Sequence, residues 1–469
     1  MNVHFWELQH HEEHPVLFIQ NEEKCITYGQ LREKTNSFYT NCLIHFPQKT
    51  LGFIFCNNQI ETVVGYLATL QSRHSVALLP VDIPKYSIDN LIEEYKPEWI
   101  FGPAMLVNEI VEKYSEVIHL EGNYAFAVRR KKEESKSIHA ELAVLLSTSG
   151  TTGSPKFVRL SYQNIQDNAR SIVEYLGLNE QERAITTLPL HYSYGLSVLN
   201  SHLLAGASVL LTSNSVMEKP FWSFFSEHNA TSIAGVPYTY QMLHRLRFER
   251  MDLPSLRTLT QAGGRLDIQL QQYFYDISKK TSRSLFIMYG QTEATARMSY
   301  VPPESLTRKL GSIGIPIPRG AFLLSEDGEL IYKGRNVMMG YATKRSDLSR
   351  EDDMHGILHT GDIGYKDDEG FYFINGRKKR FIKLFGLRIN LDDVERMIER
   401  YCRYSCYCVG NDLKLYIVVD KANITAQIQE ILKTELKLHS SAYSVVYMPV
   451  IPRLGNGKVD YKALIESVV

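Results

Sequence analysis

The sequence predicts an α/β protein: a large N-terminal region of two α/β subdomains plus a β-rich subdomain, followed by a small α+β C-terminal lid domain. Between about residues 50 and 290, short apolar runs alternate with longer amphipathic segments, a pattern typical of parallel strands covered by helices. After about Pro303, turn residues precede short alternating strands, which indicates antiparallel structure. Residues 376–380 form a basic cluster, either a charged surface turn or a hinge before the small domain.

Each element is predicted from a short segment. Apolar runs predict buried strands at residues 51–55, 75–79, 143–146, 207–211, 232–236 and 285–289. Residues 165–176 and 238–245 have apolar positions at helical spacing. Residues 325–332 and 366–373 begin with acidic and glycine turn residues and continue as alternating strands, which predicts the antiparallel part.

The amino-acid composition excludes several kinds of protein. The chain has 469 residues, 44% of them hydrophobic, which is enough for more than one ordinary domain with a large core. Lys plus Arg and Asp plus Glu both number 52, so no net charge favours nucleic acid or an anionic membrane. No secretion signal or bilayer-spanning run is apparent, and the six Cys do not form a disulfide framework. We expect a cytoplasmic protein without a nucleic-acid partner or stable membrane association.

The segment 146–156, Leu-Ser-Thr-Ser-Gly-Thr-Thr-Gly-Ser-Pro-Lys, is the most informative part of the chain. It follows an apolar run and offers backbone N–H groups, hydroxyl groups and one lysine, with no bulky side chain. These are the groups that a loop around an oligophosphate requires. The segment does not match the Walker A pattern. On these residues alone, a polar surface turn is the alternative interpretation.

Several shorter motifs follow this loop in order. They are residues 289–293 (Tyr-Gly-Gln-Thr-Glu), Tyr341, residues 359–364 (His-Thr-Gly-Asp-Ile-Gly), residues 375–377 (Asn-Gly-Arg) and residues 452–460 (Pro-Arg-Leu-Gly-Asn-Gly-Lys-Val-Asp). Each motif alone is weak evidence of function, because a lone Glu or Lys is usually a solvated surface group. Their order and spacing together closely resemble the core motifs of the acyl-adenylate-forming, or AMP-binding, superfamily. That superfamily includes acyl- and aryl-CoA ligases, peptide-synthetase adenylation domains and luciferases.

The resemblance implies an ATP site. The loop that ends at Lys156 is expected to hold the β- and γ-phosphates of ATP. Gly263 and Gly264, which precede Arg265, resemble the segment along adenine, and Tyr289 resembles the aromatic residue that stacks on the base. The residues expected to bind ATP or AMP are Thr148, Ser149, Gly150, Thr151, Thr152, Gly153, Lys156, Gly263, Gly264, Arg265, Tyr289, Gly290, Gln291, Asp362 and Arg377.

The resemblance also implies catalytic residues: Lys458, Thr292 and Glu293. Thr292 would hydrogen-bond to the α-phosphate, and Glu293 would help to bind Mg²⁺, a hard cation that prefers carboxylate and phosphate oxygens. Asp362 would accept hydrogen bonds from the ribose hydroxyls, with Arg377 nearby. Lys458 and Mg²⁺ would neutralise the charge that grows on the phosphate oxygens. No general base is expected, because the attacking carboxylate is already ionised.

Two domains are expected from the same resemblance. Residues 1–376 would form the AMP-binding domain with the ATP and acid sites. Residues 377–469 would form a mobile domain that carries the catalytic lysine, with its hinge at Lys379. This domain would rotate between adenylation and a second step, in which a thiol takes the acyl group.

The acid pocket departs most from the family pattern. Residues 189–196 resemble its lining segment, which makes His191 and Tyr192 candidates together with Tyr238; Arg297 lies nearby by analogy. A satisfied core histidine is the alternative for His191. The Phe-Asp pair with which amino-acid-activating domains hold the substrate ammonium is absent, which argues against an ordinary α-amino acid.

The predicted function is ATP-dependent activation of a carboxylic acid to an acyl-adenylate with release of pyrophosphate. Transfer of the acyl group to a thiol would follow, either to CoA or to the phosphopantetheine of a carrier protein in trans. ATP and Mg²⁺ are the expected cofactors. A non-catalytic nucleotide-binding homologue and a luciferase-type oxygenase that uses the same adenylate are the alternatives.

Two further patterns suggest metal sites that we do not expect. Residues 10–14, His-His-Glu-Glu-His, fit the H-x-x-E-H pattern of some zinc hydrolases, but Pro15 follows directly and no further acidic ligand region is apparent. Cys402, Cys406 and Cys408 have no fourth partner nearby. We interpret them as buried free thiols that alternate along a strand.

Overall fold

The computed structural model describes residues 3–20, 25–110, 114–120, 123–129, 137–147, 156–378, 380–384, 387–411, 413–436, 438–455 and 457–468. Over these residues, three sheets and their helices form a large N-terminal region, and two small sheets follow in the C-terminal part. The predicted α/β fold with a smaller C-terminal domain is therefore confirmed. No described helix combines the length and the apolar character needed to cross a bilayer.

The first large sheet has eight strands. In spatial order they are β19 (Tyr341–Ala342), β9 (Phe157–Ser161), β8 (Leu142–Ser147), β4 (Ser75–Pro80), β3 (Leu51–Cys56), β5 (Trp99–Pro103), β7 (Tyr124–Arg129) and β6 (Tyr114–Leu120). The four central strands, from β8 to β5, are parallel, and antiparallel strands flank them. All six residues of β3 are buried, as expected for a parallel strand that is covered on both faces.

The second large sheet has nine strands. In spatial order they are β16 (Ile315–Pro316), β15 (Ser299–Val301), β14 (Ser284–Tyr289), β13 (Thr258–Gln261), β12 (Ser232–Gly235), β10 (Arg183–Ile185), β11 (Ser208–Leu211), β1 (Pro15–Ile19) and β2 (Ile26–Thr27). The strands from β14 to β1 are parallel. The carboxyl ends of β12, β13 and β14 therefore meet at one edge of the sheet, which is where α/β folds commonly bind ligands.

Nine helices accompany these two sheets in the described residues. They are α1 (Tyr28–Phe38), α2 (Ile60–Gln71), α3 (Lys85–Tyr95), α4 (Ala104–Ile110), α5 (Tyr162–Leu176), α6 (Ser193–Leu204), α7 (Lys219–Glu227), α8 (Pro237–Arg245) and α9 (Ile268–Lys280). Both predicted helices are confirmed. Helix α5 begins before residue 165 because Ser161 and Asn164 exchange side-chain and backbone hydrogen bonds in a capping box. It ends at Gly177, whose φ of 65° suits glycine.

A four-stranded antiparallel sheet follows, as the turn-strand pattern predicted. Its strands are, in spatial order, β17 (Ala321–Leu324), β18 (Glu329–Lys333), β20 (Ile357–Lys366) and β21 (Tyr372–Arg377). Asp362 on β20 lies directly opposite Arg377 on β21. This register brings two predicted nucleotide-binding residues together.

The C-terminal part has its own core. Its elements are β22 (Phe381–Leu384), β23 (Leu387–Asn390), α10 (Leu391–Cys402), β24 (Tyr407–Gly410), β25 (Leu415–Val419), α11 (Thr425–Thr434), β26 (Tyr443–Tyr447) and α12 (Tyr461–Val468). Cys402, Cys406 and Cys408 are buried free thiols, as predicted. The expectation that they alternate along one strand is wrong. Cys402 is the last residue of α10, and Cys408 lies in β24, because the apolar face of α10 supplies part of the same core.

Candidate active site

Gly263 lies where the segments after β12 and β13 approach each other. Its φ is 83°, and a Cβ atom there would lie 2.6 Å from the hydroxyl oxygen of Tyr192 and 3.0 Å from Cγ1 of Val236. A side chain would therefore collide with both residues, and only glycine adopts this backbone conformation without strain. The contact brings the predicted adenine segment and the predicted acid pocket together at the carboxyl edge of the sheet.

Asp362 is the centre of a hydrogen-bond network beside this edge. Its carboxylate is buried and accepts hydrogen bonds from the Tyr289 hydroxyl (2.5 Å), the Gln291 amide (3.0 Å) and Nε of Arg377 (3.1 Å). The Asp362 carboxylate is the main cause of a raised pKa for the Arg377 guanidinium. Burial raises the pKa of Tyr289 well above its usual value, so its hydroxyl remains a donor.

Arg377 also contacts the C-terminal part of the chain. Its backbone N–H donates to the carboxylate of Asp392, in the first turn of α10, at 2.9 Å. The same residue therefore contacts the buried carboxylate of Asp362 through its side chain and α10 through its backbone.

Glu293 lies in the loop that follows β14. Its Oε1 accepts a hydrogen bond of 2.8 Å from the Tyr341 hydroxyl, and Nζ of Lys156 lies 3.2 Å from the centroid of the Tyr341 ring. No described residue donates a hydrogen bond to Oε2 of Glu293. In the described part of the chain, no three His, Cys, Asp or Glu residues cluster tightly enough to hold a metal ion. A single open carboxylate oxygen fits Mg²⁺, which is usually bound through one or two carboxylates together with substrate phosphates and water.

Thr292 contacts a residue that the sequence analysis did not single out. Its Oγ1 lies 3.1 Å from Oγ of Ser193, the first residue of α6. The available sequence signal was that Ser193 falls within the predicted pocket segment 189–196. Gly290 permits the tight path of this loop, because a Cβ atom there would lie 1.9 Å from the carbonyl oxygen of Ala296.

Lys458 reaches the same region from the C-terminal part. Its Nζ lies 5.7 Å from the centroid of the Tyr192 ring. Burial lowers the pKa of its ammonium group, and the charge of Arg377 lowers it further, whereas the carboxylates of Glu293 and Asp362 act in the opposite direction. The lysine is therefore close enough to both predicted carboxylates to interact with them electrostatically.

The loop that carries Lys458 packs on the segment after β12. A Cβ atom on Gly457 would lie 2.9 Å from Cγ2 of Val236, and the Arg453 guanidinium lies 4.7 Å from the centroid of the Tyr238 ring. Tyr238, a predicted pocket residue, thus lies under the C-terminal loop.

Arg265 makes a further contact between the two parts of the chain. Its guanidinium lies 3.4 Å from the carboxylate of Glu399 on α10. Burial raises the pKa of Glu399 to about 7. Arg265 follows the predicted adenine segment directly, so the position of α10 is tied to that segment by an ion pair.

His191 is partly buried near the predicted acid pocket. Its Nδ1 is buried and has no hydrogen-bond partner among the described residues. Burial lowers the pKa of His191 to about 4, so the ring is neutral at pH 7. The expectation of a fully satisfied core histidine therefore does not fit, whereas a pocket position fits the open nitrogen.

Some predicted residues lie outside the described ranges. These are residues 148–153 of the predicted phosphate loop and the predicted hinge residue Lys379. In the N-terminal motif 10–14, His10 and His14 contact the backbone carbonyls of Leu203 and Glu180, so these two rings are engaged with the backbone.

The parallel sheets with their smaller C-terminal part form an α/β fold of the class that commonly binds ligands at the carboxyl edge of its strands. The sequence profile described as "AMP-binding enzyme" matches residues 5–342, and the chain belongs to this family. The family resemblance seen in the sequence is thereby confirmed.

Named proteins that are similar to this chain support its membership of the family. The 2-succinylbenzoate–CoA ligase of Bacillus subtilis (strain 168) is 32% identical over 80% of this chain and 78% of that protein. The ligase of the same name from Bacillus pumilus (strain SAFR-032) is 33% identical over 57% of this chain and 55% of its own length. The solved structure of O-succinylbenzoate coenzyme A synthetase from Bacillus subtilis, in complex with AMP, has a TM-score of 0.75 at 23% identity, over 97% of each chain, which shows the same fold.

Proposed function

We propose that the protein activates a carboxylic acid with ATP, forms an acyl-adenylate and pyrophosphate, and then transfers the acyl group to a thiol. The observation that carries this proposal is the position of Lys458. The C-terminal loop holds its ammonium group over Tyr192 and within the electrostatic reach of Glu293 and Asp362. The relatives described above are CoA ligases, and the solved structure holds AMP.

In this proposal the nucleotide lies along residues 263–265 and Tyr289. A carboxylate offers about four lone-pair sites, and Asp362 uses three of them for Tyr289, Gln291 and Arg377. Among the described residues, Oδ1 of Asp362 accepts a hydrogen bond from Arg377 alone, which leaves room for a ribose hydroxyl. Asp362 therefore selects a sugar hydroxyl by accepting its hydrogen bond, while Arg377 keeps the carboxylate ionised.

The reaction joins two anions, so the residues of the site mainly supply positive charge and orientation. Lys458 places its ammonium group where charge grows on the oxygens of the α-phosphate, and Thr292 orients that phosphate by a hydrogen bond. Glu293 would hold Mg²⁺, which supplies further charge neutralisation when bound. Lys156 and the loop before it remain the predicted contacts to the β- and γ-phosphates.

For the thiol step, we propose CoA as the acceptor and a carrier protein in trans as the second candidate. Residues 377–469 would rotate about Lys379 between the two steps, while residues 1–376 keep the ATP and acid sites in place. A reducing cytoplasm suits the protein, because all six of its cysteines are free.

Pyrophosphate release from ATP and Mg²⁺ across a panel of carboxylic acids, with and without CoA, tests the proposal. Lys458→Ala should lower adenylate formation by about 100-fold or more, because it removes a charge that acts on the transition state. Transfer from a synthetic acyl-adenylate to CoA should be largely retained. Lys462→Ala, at an exposed position of α12, is the control. A non-catalytic homologue would release no pyrophosphate with any acid, before or after substitution.

A further inference from the structure

Arg297 is a buried cation that contacts no carboxylate in the described part of the chain. Its side chain is 1% exposed. The other buried lysine and arginine residues of the described chain are compensated: Arg159 contacts Asp353 at 2.8 Å, and Lys309 contacts Asp367 at 2.7 Å. Arg297 forms no ion pair with any described Asp or Glu. Arg297 therefore differs from these other buried cations, and the burial of its charge requires a chemical explanation.

The partners of the Arg297 guanidinium are all neutral. Its Nε donates to Oγ of Ser197 at 3.2 Å, and its Nη1 donates to the hydroxyl of Tyr175 at 3.3 Å and to the sulfur of Met288 at 2.6 Å. Its Cζ lies 4.1 Å from the centroid of the Tyr194 ring. The two N–H groups of Nη2 donate to no described atom, so two of the five donors of this side chain are unused.

Neutral hydrogen bonds and a cation–π contact offset only part of the loss of hydration of a buried guanidinium. A buried charge that keeps open donors is normally matched by an anion. The described residues do not supply that anion, and a bound molecule is a source that matches the open donors of Nη2. The planar fork of arginine is well suited to a carboxylate.

Arg297 is part of the loop that forms the candidate active site. A Cβ atom on Gly290 would lie 3.0 Å from Cα of Arg297. The Tyr194 ring, which stacks under the guanidinium, lies 6.4 Å from the Tyr192 ring, and Lys458 lies over the other tyrosine of this pair. Lys458 thus lies near one tyrosine of this neighbouring pair, and Arg297 lies over the other.

We propose that Arg297 determines specificity for an acid that carries a second carboxylate. One carboxylate of this substrate would be adenylated near Lys458 and Tyr192, and the other would accept hydrogen bonds from Nη2 of Arg297 beside Tyr194. The neutral His191 adds no competing positive charge in this pocket. This inference rests on the proposed function and gives it a substrate class, the dicarboxylic acids.

Matched pairs of acids test this assignment. Each pair consists of a diacid, aliphatic or aromatic, and an uncharged analogue of similar size in which an isopropyl group replaces the second carboxylate. Pyrophosphate release gives kcat/KM for both members of a pair. Wild-type protein should prefer the diacid, and Arg297→Met should lower the diacid-to-analogue ratio by on the order of 100-fold. Arg297→Lys should retain part of the preference, because it keeps the charge.

The control is Arg257→Met. Arg257 directly precedes β13, at the amino edge of the nine-stranded sheet, and its replacement should leave the diacid-to-analogue ratio unchanged. Equal losses for both members of every pair in Arg297→Met would show a structural role and overturn the inference. If that variant does not fold, the wild-type ratio decides, and a preference for the neutral analogues overturns the inference. If no acid of the panel caused pyrophosphate release, the proposed function would be refuted, and this inference with it.

Discussion

Replacing Gly457 tests whether the C-terminal loop must pack on the segment after β12 to position Lys458. Its φ is 79°, and a Cβ atom there would lie 2.9 Å from Cγ2 of Val236 and 3.6 Å from Cβ of Tyr238. Gly457→Ala therefore introduces a backbone strain and a collision in the position that brings the lysine over Tyr192. Neither cost arises from the nucleotide or from the acid.

The expected loss of adenylate formation in Gly457→Ala follows from the backbone strain and from the collision. An L-residue in the left-handed region costs about 1–2 kcal/mol relative to glycine. The methyl group also overpacks the contact with Val236, whose branched side chain has little rotamer freedom to give way. A total of about 2 kcal/mol corresponds to a loss of about 30-fold in adenylate formation.

The two half-reactions separate this effect from general damage. ATP–pyrophosphate exchange reports adenylate formation, and transfer from a synthetic acyl-adenylate to CoA reports the second step. Gly455→Ala is the matched control, because a Cβ atom at this position of the same loop meets no atom within 4 Å. If Gly457→Ala slowed both half-reactions equally, or if Gly455→Ala had the same effect, the proposed docking of the loop would be wrong.

Two further predictions concern charged groups of the site. Burial raises the pKa of Glu399 to about 7, so between its usual value of 4.5 and about 7 the folded protein holds a proton that the unfolded chain releases. The free energy of unfolding of wild type relative to Glu399→Gln should therefore fall as the pH rises from 4.5 to about 7 in chemical denaturation, and a constant difference would contradict the burial of this carboxyl. Asp362→Asn should weaken AMP binding by about tenfold in calorimetry, because a charged acceptor for ribose is lost. The same variant should discriminate less against a nucleotide without ribose hydroxyls, and undiminished discrimination would exclude Asp362 as the ribose contact.

Much of the fold could be predicted because parallel strands are buried on both faces and their sequences are almost continuously apolar. The runs at 51–55, 143–146 and 285–289 all lie in strands of the two large sheets. The start of α5 was missed, since its capping box depends on a mutual exchange of hydrogen bonds and not on apolar spacing. The prediction that Cys402, Cys406 and Cys408 share one strand was wrong, because the end of a helix and a strand both contribute cysteines to the same core.

The site was predicted residue by residue, but its contacts were not. Asp362 and Arg377 were recognised separately, whereas their opposition depends on the register of β20 and β21. The contact between Thr292 and Ser193 joins segments far apart in the sequence, and no local pattern indicates it. That no carboxylate of the described residues pairs with Arg297 depends on all the elements around it, so local sequence does not indicate it.

Arg377 gives the proposed cycle a thermodynamic link that neither domain would have alone. Its side chain contacts the carboxylate that we assign to ribose, and its backbone contacts Asp392 of α10. A nucleotide that alters the first contact changes the energy of one domain arrangement relative to the other. By reciprocity, the factor by which the nucleotide favours an arrangement equals the factor by which that arrangement tightens the nucleotide. Rotation of the C-terminal domain after adenylation would then also set how readily AMP is released.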